Sequence, residues 1–472
     1  MKTVFESARE TPVRHESQAL VAGGGLTGVC AAIAAARAGA RTLLVEHSHM
    51  LGGVATAGLM ASFNNRFIAA DGTQVVCGIP GEIVDRLVEL RGARPDWRRP
   101  DLPHLPFDPE LLQVVLIRLL RDASVHVLLG TTVAAARDEN GVVAVILEGK
   151  AGREAALADV VVDATGEAVI AAHLGADCGE TPPASASLEF RMAGVDLPAF
   201  FEHFRQHPED FAEDYDLATE FEEFARNWSE LGVFHLPHGG GVRMRPIQDA
   251  IARREYWKER GLAHGLDAFG FYATADTDTV IVNSNFYTLD SLDPSDLSNA
   301  IQDARERCIE TADLLKRVMP GFEQAYVVAT APELGVRISR RIRGRATLTR
   351  EQLQRGDTFE DVVAVQPRLH SIAHGERRVD GTSELPYGIM LPRDVARILV
   401  ASGKTVSTEP RGVVRAMVSC MALGQAAGAA AALAGAAGAS PSNVPIRRIQ
   451  QELLDQGAYL GPEDRLAELG LK

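Results

Sequence analysis

The stretch from Ala19 to Glu46, ALVAGGGLTGVCAAIAAARAGARTLLVE, constrains the fold more than any other part of the chain. Ala19 to Ala22 is a short apolar strand that runs straight into GGGLTG, followed by a helix of small residues and a second strand, RTLLVE. That order gives a β-turn-α-β unit with G-x-G-x-x-G spacing at Gly23, Gly25 and Gly28. Gly23 permits the tight turn, Gly25 lets a pyrophosphate approach the backbone, and Gly28 lets the helix pack close to the strand. The free amides at the helix start, around Leu26 and Thr27, then hold the phosphate. Glu46 ends the second strand, where a carboxylate accepts hydrogen bonds from both ribose hydroxyls of an adenosine and repels a 2′-phosphate. The unit binds an ADP moiety, which means FAD or NAD.

Composition narrows the remaining classes. With 472 residues, 46% of them hydrophobic, the chain has room for two or three domains and a large core. The formal charge of −15, without a long Lys/Arg run, argues against nucleic acid as a partner. The cysteines at 30, 77, 178, 308 and 420 are far apart and form no CxxC, against a disulfide framework and against a zinc or iron-sulfur site. A reducing cytoplasm fits that usage. The N-terminus MKTVFESARETPVRHESQ lacks the apolar core of a secretory signal. Met417 to Gly435 is rich in Ala and Gly and suits a tightly packed core helix better than lipid, so no membrane partner is expected.

Two later stretches bear on the choice between FAD and NAD. FDPELLQVVLIRLLRDA reads as an amphipathic helix, and VHVLLGTTVAAARDENGVVAVILEG as a strand and a hairpin turned at Glu139-Asn140-Gly141. The hairpin is expected as a third lobe inserted before the sheet resumes. It resumes at ADVVVDATGEA, where small residues at Ala164, Thr165 and Gly166 let the chain pass close to a dinucleotide.

The sequence here resembles the FAD-dependent oxidoreductases related to glutathione reductase and the fumarate reductase flavoproteins, and most of all a bacterial subgroup of them. VAGGGLTG, LGGVATAG, DATGEA, LGVRISRRIRG, LPYGIMLP and VVRAMVSCMALGQAAGAAAA carry the resemblance, which runs with gaps from about residue 18 to 437. It implies FAD as the cofactor and an α/β fold: a Rossmann-like FAD-binding domain of three layers, β-β-α, with an inserted mixed α+β substrate or cap domain. The FAD-binding domain is expected over 18–174 and 325–438, the cap over 175–324, and a helical tail over 439–472. In such a fold Gly52 and Gly53 bring Val54, Ala55 and Thr56 beneath the flavin, with Val133 and Val414 as further cofactor contacts. The long helix from Met417 would aim its N-terminus at the flavin's pyrimidine end, where the dipole stabilises the anionic reduced ring.

The histidines of EHSHMLGG allow three readings: metal ligands, a covalent flavin anchor, or loop residues. No carboxylate or cysteine constellation completes a metal site, and Glu46 is committed to ribose. The favoured reading packs His47 near the adenine and leaves His49 to shape the loop, with no metal expected.

On the substrate side, Arg337 or Arg340 is read as facing the flavin and binding a carboxylate or phosphate bidentately, while Arg341, Arg343 and Arg345 are read as solvated or FAD-phosphate-facing. The resemblance is broken at Ile338, where relatives carry an acid. His370 is a candidate for proton transfer beside the alternative of a hydrogen-bonded loop histidine, and His374 a weaker one. TVSTEPRGVVR departs from relatives that carry a Thr-His pair, although Arg415 matches their motif. His235, His238, Arg243 and Arg245 flank a triple glycine and are candidate substrate contacts. The expected activity is hydride exchange between flavin and a small organic molecule, of dehydrogenase or oxidase type, because no second G-x-G-x-x-G unit for NAD(P)H is evident. An NAD(P)H-driven reductase or monooxygenase and a flavin-dependent isomerase are the alternatives, and a homodimer is left open.

Overall fold

The computed structural model describes residues 2–5, 8–64, 66–211, 217–236, 244–253, 270–273, 278–284, 286–372 and 375–472. Strand β1, Val13–Ala22, lies at the centre of a seven-stranded sheet. It runs parallel to β2, Thr42–Val45, on one side and to the strand Gly152–Asp163 on the other. His126–Leu128 extends the parallel sheet beyond β2, and Ile398–Val400 extends it beyond Gly152–Asp163. Parallel neighbours require crossovers, and helix α1, Leu26–Arg37, makes the first of them.

The alternation of β1 assigns the layers. Ala19 and Val21 point into a core shared with α1 and the long helix Met417–Ala436, whereas Leu20 and Ala22 point the other way, toward Val143, Val145 and Leu147. Each buried Val or Leu contributes about 1.5–3 kcal/mol, so both faces of the sheet are held. The hairpin Thr132–Glu139 and Val142–Gly149, turned through Asn140 and Gly141 at positive φ, supplies the second β layer. It was expected as a separate lobe; instead Val142–Gly149 pairs antiparallel with the first half of Gly152–Asp163, continuous with the main sheet. The result is a helix layer, a parallel sheet and an antiparallel layer, a mixed α/β fold.

Met417–Ala436 is apolar all round because it is buried all round. It is the one helix among the described residues long and apolar enough to cross a membrane, and 83% of its apolar window lies inside the protein. Strand expectations shift at two places. VARILVA yields only Ile398–Val400, because Arg397 sits at φ 59 with its guanidinium tied to the carbonyls of Asp159 and Gly438, which breaks the run. SLEFRMAGVD splits into the ends of Ala184–Ser187 and Phe190–Ala193, which join two different sheets.

The cap is built on a five-stranded sheet in the order His235–Leu236, Gly270–Ala273, Val280–Asn283, Phe190–Ala193, Tyr326–Thr330. A cluster of Phe200, Phe201, Phe204, Phe211, Phe224 and Phe234 fills it. A smaller sheet, Phe286–Leu289 with Ala184–Ser187 and Gly335–Val336, leads the chain back toward the FAD-type sheet. The tail helices Ile446–Asp455 and Glu463–Glu468 pack on the hairpin Val362–Ile372 and Gly375–Pro386, through Gln450 to the Val362 carbonyl and Arg465 to Glu384.

Candidate cofactor and substrate site

The glycine turn leaves space where a phosphate needs it and none where the backbone needs contact. A Cβ on Gly23, at φ +100, would meet the Ala164 carbonyl at 2.5 Å, and one on Gly28 would meet the Gly23 carbonyl at 1.8 Å. At Gly25 the nearest atom is 3.9 Å away. Gly25 is the N-cap of α1, without a side-chain cap and without an acid in the first turn. The amides behind Leu26 and Thr27 therefore have no side-chain partner, which suits a pyrophosphate. These residues fit a bound dinucleotide.

Glu46 follows β2 and is 5% exposed. Its Oε2 accepts the Gly24 amide at 2.5 Å, and its Oε1 accepts the Ser48 amide at 2.8 Å and the His47 Nδ1 at 2.8 Å. Burial opposes the charge, but the His47 imidazole and the two amides outweigh it and hold the carboxyl below the usual range. The other His47 nitrogen reaches Glu333 at 3.4 Å, so the ring bridges the nucleotide sheet to the start of the chain's return from the cap. The Glu333 and Glu46 carboxylates push it up to about 10 against partial burial. His49 packs instead against Gly130, and Thr131, two residues before Val133, donates its amide to the Glu46 carbonyl. No cluster of three His, Cys, Asp or Glu able to hold a metal exists among the described residues.

The glycine pair sits at φ +105 and +57, with the Gly52 amide on the Gly24 carbonyl at 2.8 Å. Val54 projects outward, 45% exposed, whereas Ala55 and Thr56 are turned inward, the Thr56 hydroxyl donating to the Leu51 carbonyl at 2.6 Å. Of these three side chains only Val54 faces open space.

At the second turn, Asp163 holds the backbone through Thr165 Oγ1 at 2.7 Å and the Ala171 amide at 3.0 Å. Burial pushes its carboxyl up. Gly166, at φ +76, has the Lys404 ammonium where a side chain would stand, and that ammonium donates to the Val336 carbonyl at 3.1 Å. Arg340 Nη1 donates to the Glu167 carbonyl at 3.3 Å. Glu167, Lys404 and Arg340 thus gather beside Ala164, Thr165 and Gly166, with burial pushing the Glu167 carboxyl up and the Lys404 amine down. Lys404 lies in no motif quoted from the sequence, and Asp163 and Glu167, though inside DATGEA, had no role assigned to their side chains.

Met417–Ala436 runs parallel to α1, because Gly424 sits on the Thr27 carbonyl and Gly428 on the Ala31 carbonyl. From that register it extends beyond the start of α1 by roughly six residues, about 9 Å at ~1.5 Å per residue. Its N-terminus also has no side-chain cap and no acid in the first turn. The positive ends of two helix dipoles therefore look out in the same direction, one set back from the other. Val414 is buried with its carbonyl over Gly403, and Arg415 beside it is exposed.

Arg337 and Arg340 diverge. Arg340 turns to the second glycine turn, while burial first, then the charge of Arg415, push the Arg337 guanidinium down to about 10 against the attraction of the Glu189 carboxylate. Arg341 is engaged by Glu409 at 2.6 Å and Arg343 by Asp177 at 3.1 Å, and Arg345 is exposed. His370 lies exposed near the end of the hairpin, opposite Arg377 in register, and no described hydrogen bond or ion pair joins it to this cluster. His374, His238 and Arg243 lie outside the described residues, and Arg245 faces Asp210 at 3.7 Å on the cap helices.

Of the two cap candidates among the described residues, His235 packs against the residues that follow the Val54 loop. Its Nδ1 is 3.3 Å from Ser62 Oγ, and its ring stacks on His104 at 3.5 Å and on Tyr272 at 5.6 Å. The Tyr272 hydroxyl contacts Glu189 Oε2 and the Leu59 carbonyl, the latter at 2.7 Å. Burial drives His104 down to about 4 and Glu189 up to about 8.

No sequence among the curated proteins matches the chain. Among solved structures, a geranylgeranyl bacteriochlorophyll reductase-like protein from Thermoplasma acidophilum is similar at 14% identity and TM-score 0.41, covering 96% of this chain and 90% of that one. A p-nitrophenol 4-monooxygenase from Pseudomonas putida gives 11% and 0.43, with 97% and 93% covered. An anhydrotetracycline hydroxylase from Streptomyces rimosus gives 14% and 0.42, with 93% and 66% covered. Likenesses this distant say nothing about the reaction. The family model of FAD dependent oxidoreductases matches residues 18–453. The chain belongs to that family, and it is an enzyme whose cofactor is FAD.

Proposed function

We propose that this enzyme exchanges hydride between FAD and a small anionic organic substrate, in the manner of a dehydrogenase or oxidase, where the cap meets the nucleotide sheet. The observation that carries the reading is Arg337: a half-buried guanidinium close enough to the exposed Arg415 for the two positive charges to oppose each other. Two such charges are stabilised together by a carboxylate or phosphate placed between them. In this reading Gly23, Gly25, Leu26, Thr27 and Gly28 take the pyrophosphate, and Glu46 takes the ribose once His47 yields. Val54 and Gly166 flank the path to the flavin, and Val414 and Arg415 stand at its far end. The 9 Å offset between the two helix starts supports one positive end serving the pyrophosphate and the other the redox-active ring. FAD, when bound, supplies the ring that accepts or returns the hydride.

Anaerobic mixing of the holoenzyme with a panel of small hydroxy, amino and unsaturated acids, read by loss of the oxidised flavin spectrum, tests the proposal. Bleaching by a panel member alone is expected, with affinity for it reduced about tenfold or more in Arg337→Gln, in line with loss of ~1.5–3 kcal/mol from a charge-assisted hydrogen bond. Bleaching by NADH or NADPH and by no panel member replaces it with the reductase or monooxygenase reading.

A further inference from the structure

Lys404 brings a full positive charge to the edge of the sheet where the glycine turns lie. Its strand, Ile398–Val400, runs beside Gly152–Asp163, and the Ala401 amide still bonds the Asp163 carbonyl at 3.0 Å. The chain then folds over Ser402, whose carbonyl takes the Thr405 and Val406 amides at 2.8 and 3.0 Å, and Lys404 is turned back across the second glycine turn. Its side chain is half-buried, with Cε and Nζ lying 3.0 and 3.1 Å from where a Cβ on Gly166 would stand.

Three walls of the cofactor site meet at this ammonium. The turn that carries Gly166 also lays the Ala164 carbonyl on Gly23, which opens the phosphate turn. The Val336 carbonyl, which accepts from Lys404 Nζ at 3.1 Å, follows Gly335, and a Cβ on Gly335 would be 3.9 Å from Val54 Cγ2. Gly403 packs on the Val414 carbonyl and, at 3.0 Å from a Cβ placed on it, on Cys420 Sγ in the first turn of Met417–Ala436. The head of Lys404 therefore stands among the glycine turns, the Val54 loop and the start of the long helix.

An ammonium has three donors, and among the described residues Lys404 uses one of them and forms no ion pair. Glu167 favours its charge, whereas Arg415 opposes it and Arg340 competes for Glu167. A half-buried ammonium with open donors is stabilised by an anion. The cofactor brings one: its diphosphate is dianionic, and the amide end of α1 answers it with only about half a unit of charge.

We propose that Lys404 binds the diphosphate of FAD through its remaining donors, as the cation that completes the site begun by the amides behind Leu26 and Thr27. This adds a full charge to the helix amides assigned above and does not depend on Arg337. Because Lys404 comes from the late half of the chain and the phosphate turn from the early half, the diphosphate also holds the two together.

ADP carries the same diphosphate without the flavin, and adenosine carries neither. Full-length apo-protein of the wild type, Lys404→Met and Lys404→Arg is titrated with FAD, ADP and adenosine by calorimetry, after thermal unfolding has confirmed that each is folded. Lys404→Met keeps the stem and drops the charge, so it should weaken FAD and ADP alike by about ten- to a hundredfold and leave adenosine unchanged. Lys404→Arg should restore most of the loss, and the midpoint potential of the loaded enzyme should be the same in all three. Unchanged ADP affinity in Lys404→Met overturns the proposal, and two further readings then identify the anion served: a lowered midpoint potential points to the flavin ring, and weakened substrate binding to the substrate. Equal weakening of ADP and adenosine marks a structural lysine and overturns it as well. Should Lys404→Met not fold, a crystal structure of the FAD-loaded wild type decides, by whether Nζ lies within hydrogen-bond reach of a phosphate oxygen. The substrate panel that tests Arg337 plays no part in these titrations, so either proposal can fail alone.

Discussion

The buried acid at Glu189 has a consequence for stability. Burial pushes its carboxyl up to about 8 from the ordinary 4.5, so stability is fully present below about 4.5 and is lost as pH rises toward 8. Between those limits the unfolded chain ionises the carboxyl and the folded chain does not, a difference on the order of 5 kcal/mol at ~1.4 kcal/mol per pH unit. Glu189→Gln abolishes the ionisation while keeping the shape. Thermal unfolding of the apo-protein should show the variant gaining on the wild type steadily from pH 5 to pH 8; a constant difference would show that the carboxyl is ionised throughout. The turn glycine Gly23 and the packing glycine Gly28, whose parts are written in local spacing, were legible in the sequence. Glu189 and Tyr272 were not, because each reads as an ordinary strand residue until antiparallel pairing across the cap sheet brings them to Leu59.

The β1-turn-α1 junction separates two uses of glycine. Gly28 is a packing glycine: its Cβ would overlap the Gly23 carbonyl at 1.8 Å, and neither α1 nor β1 can retreat from the sheet. Gly25 is an open one, at φ −65 with 3.9 Å of clearance. Gly28→Ala should destabilise by about 3 kcal/mol or prevent folding. Gly25→Ala should unfold at nearly the wild-type temperature yet purify without the flavin spectrum, because the methyl occupies the phosphate's place. Equal losses of stability in the two variants would refute this division. Gly424 and Gly428 repeat the packing use between α1 and the alanine-rich helix, and both were readable as close-packing positions. What the helix's composition could not supply was its register against α1, since a helix apolar on every side has no face to read. The hairpin at 132–149 shows the converse limit: its strands and turn were legible, but its continuity with the main sheet depends on which edge of Gly152–Asp163 it meets.

The whole molecule is tied together at its far end by Arg465. Its Nε and Nη2 grip Glu384 at 2.8 and 3.0 Å, and Nη2 also reaches the Phe359 carbonyl at 3.0 Å, fastening the tail helices to the long hairpin. Glu384 is 6% exposed, so removing its partner strands a nearly buried charge. Arg465→Ala should lower stability by about 3 kcal/mol, read as a shift in the urea midpoint with the slope unchanged. A loss below about 0.5 kcal/mol would mean the pair is screened like a surface one. That the chain returns to its first sheet late was legible from the glycine and alanine pattern after Met417, and the family resemblance placed the cap between the two halves. Which cap residues face the cofactor was not legible, because that depends on how the inserted lobe docks.

The pairing of Gly424 with Thr27 and of Gly428 with Ala31 also sets an order of events in the cell. The glycine turn leaves the ribosome early, but the helix that shields α1 and completes the site follows ~400 residues later, ~20–80 s at ~5–20 residues per second. Through that interval the first β-α-β unit waits with one apolar flank uncovered. A chain interrupted within the cap carries the whole nucleotide motif and should retain no flavin, so the colour of the protein would report that synthesis has gone to the end of that helix.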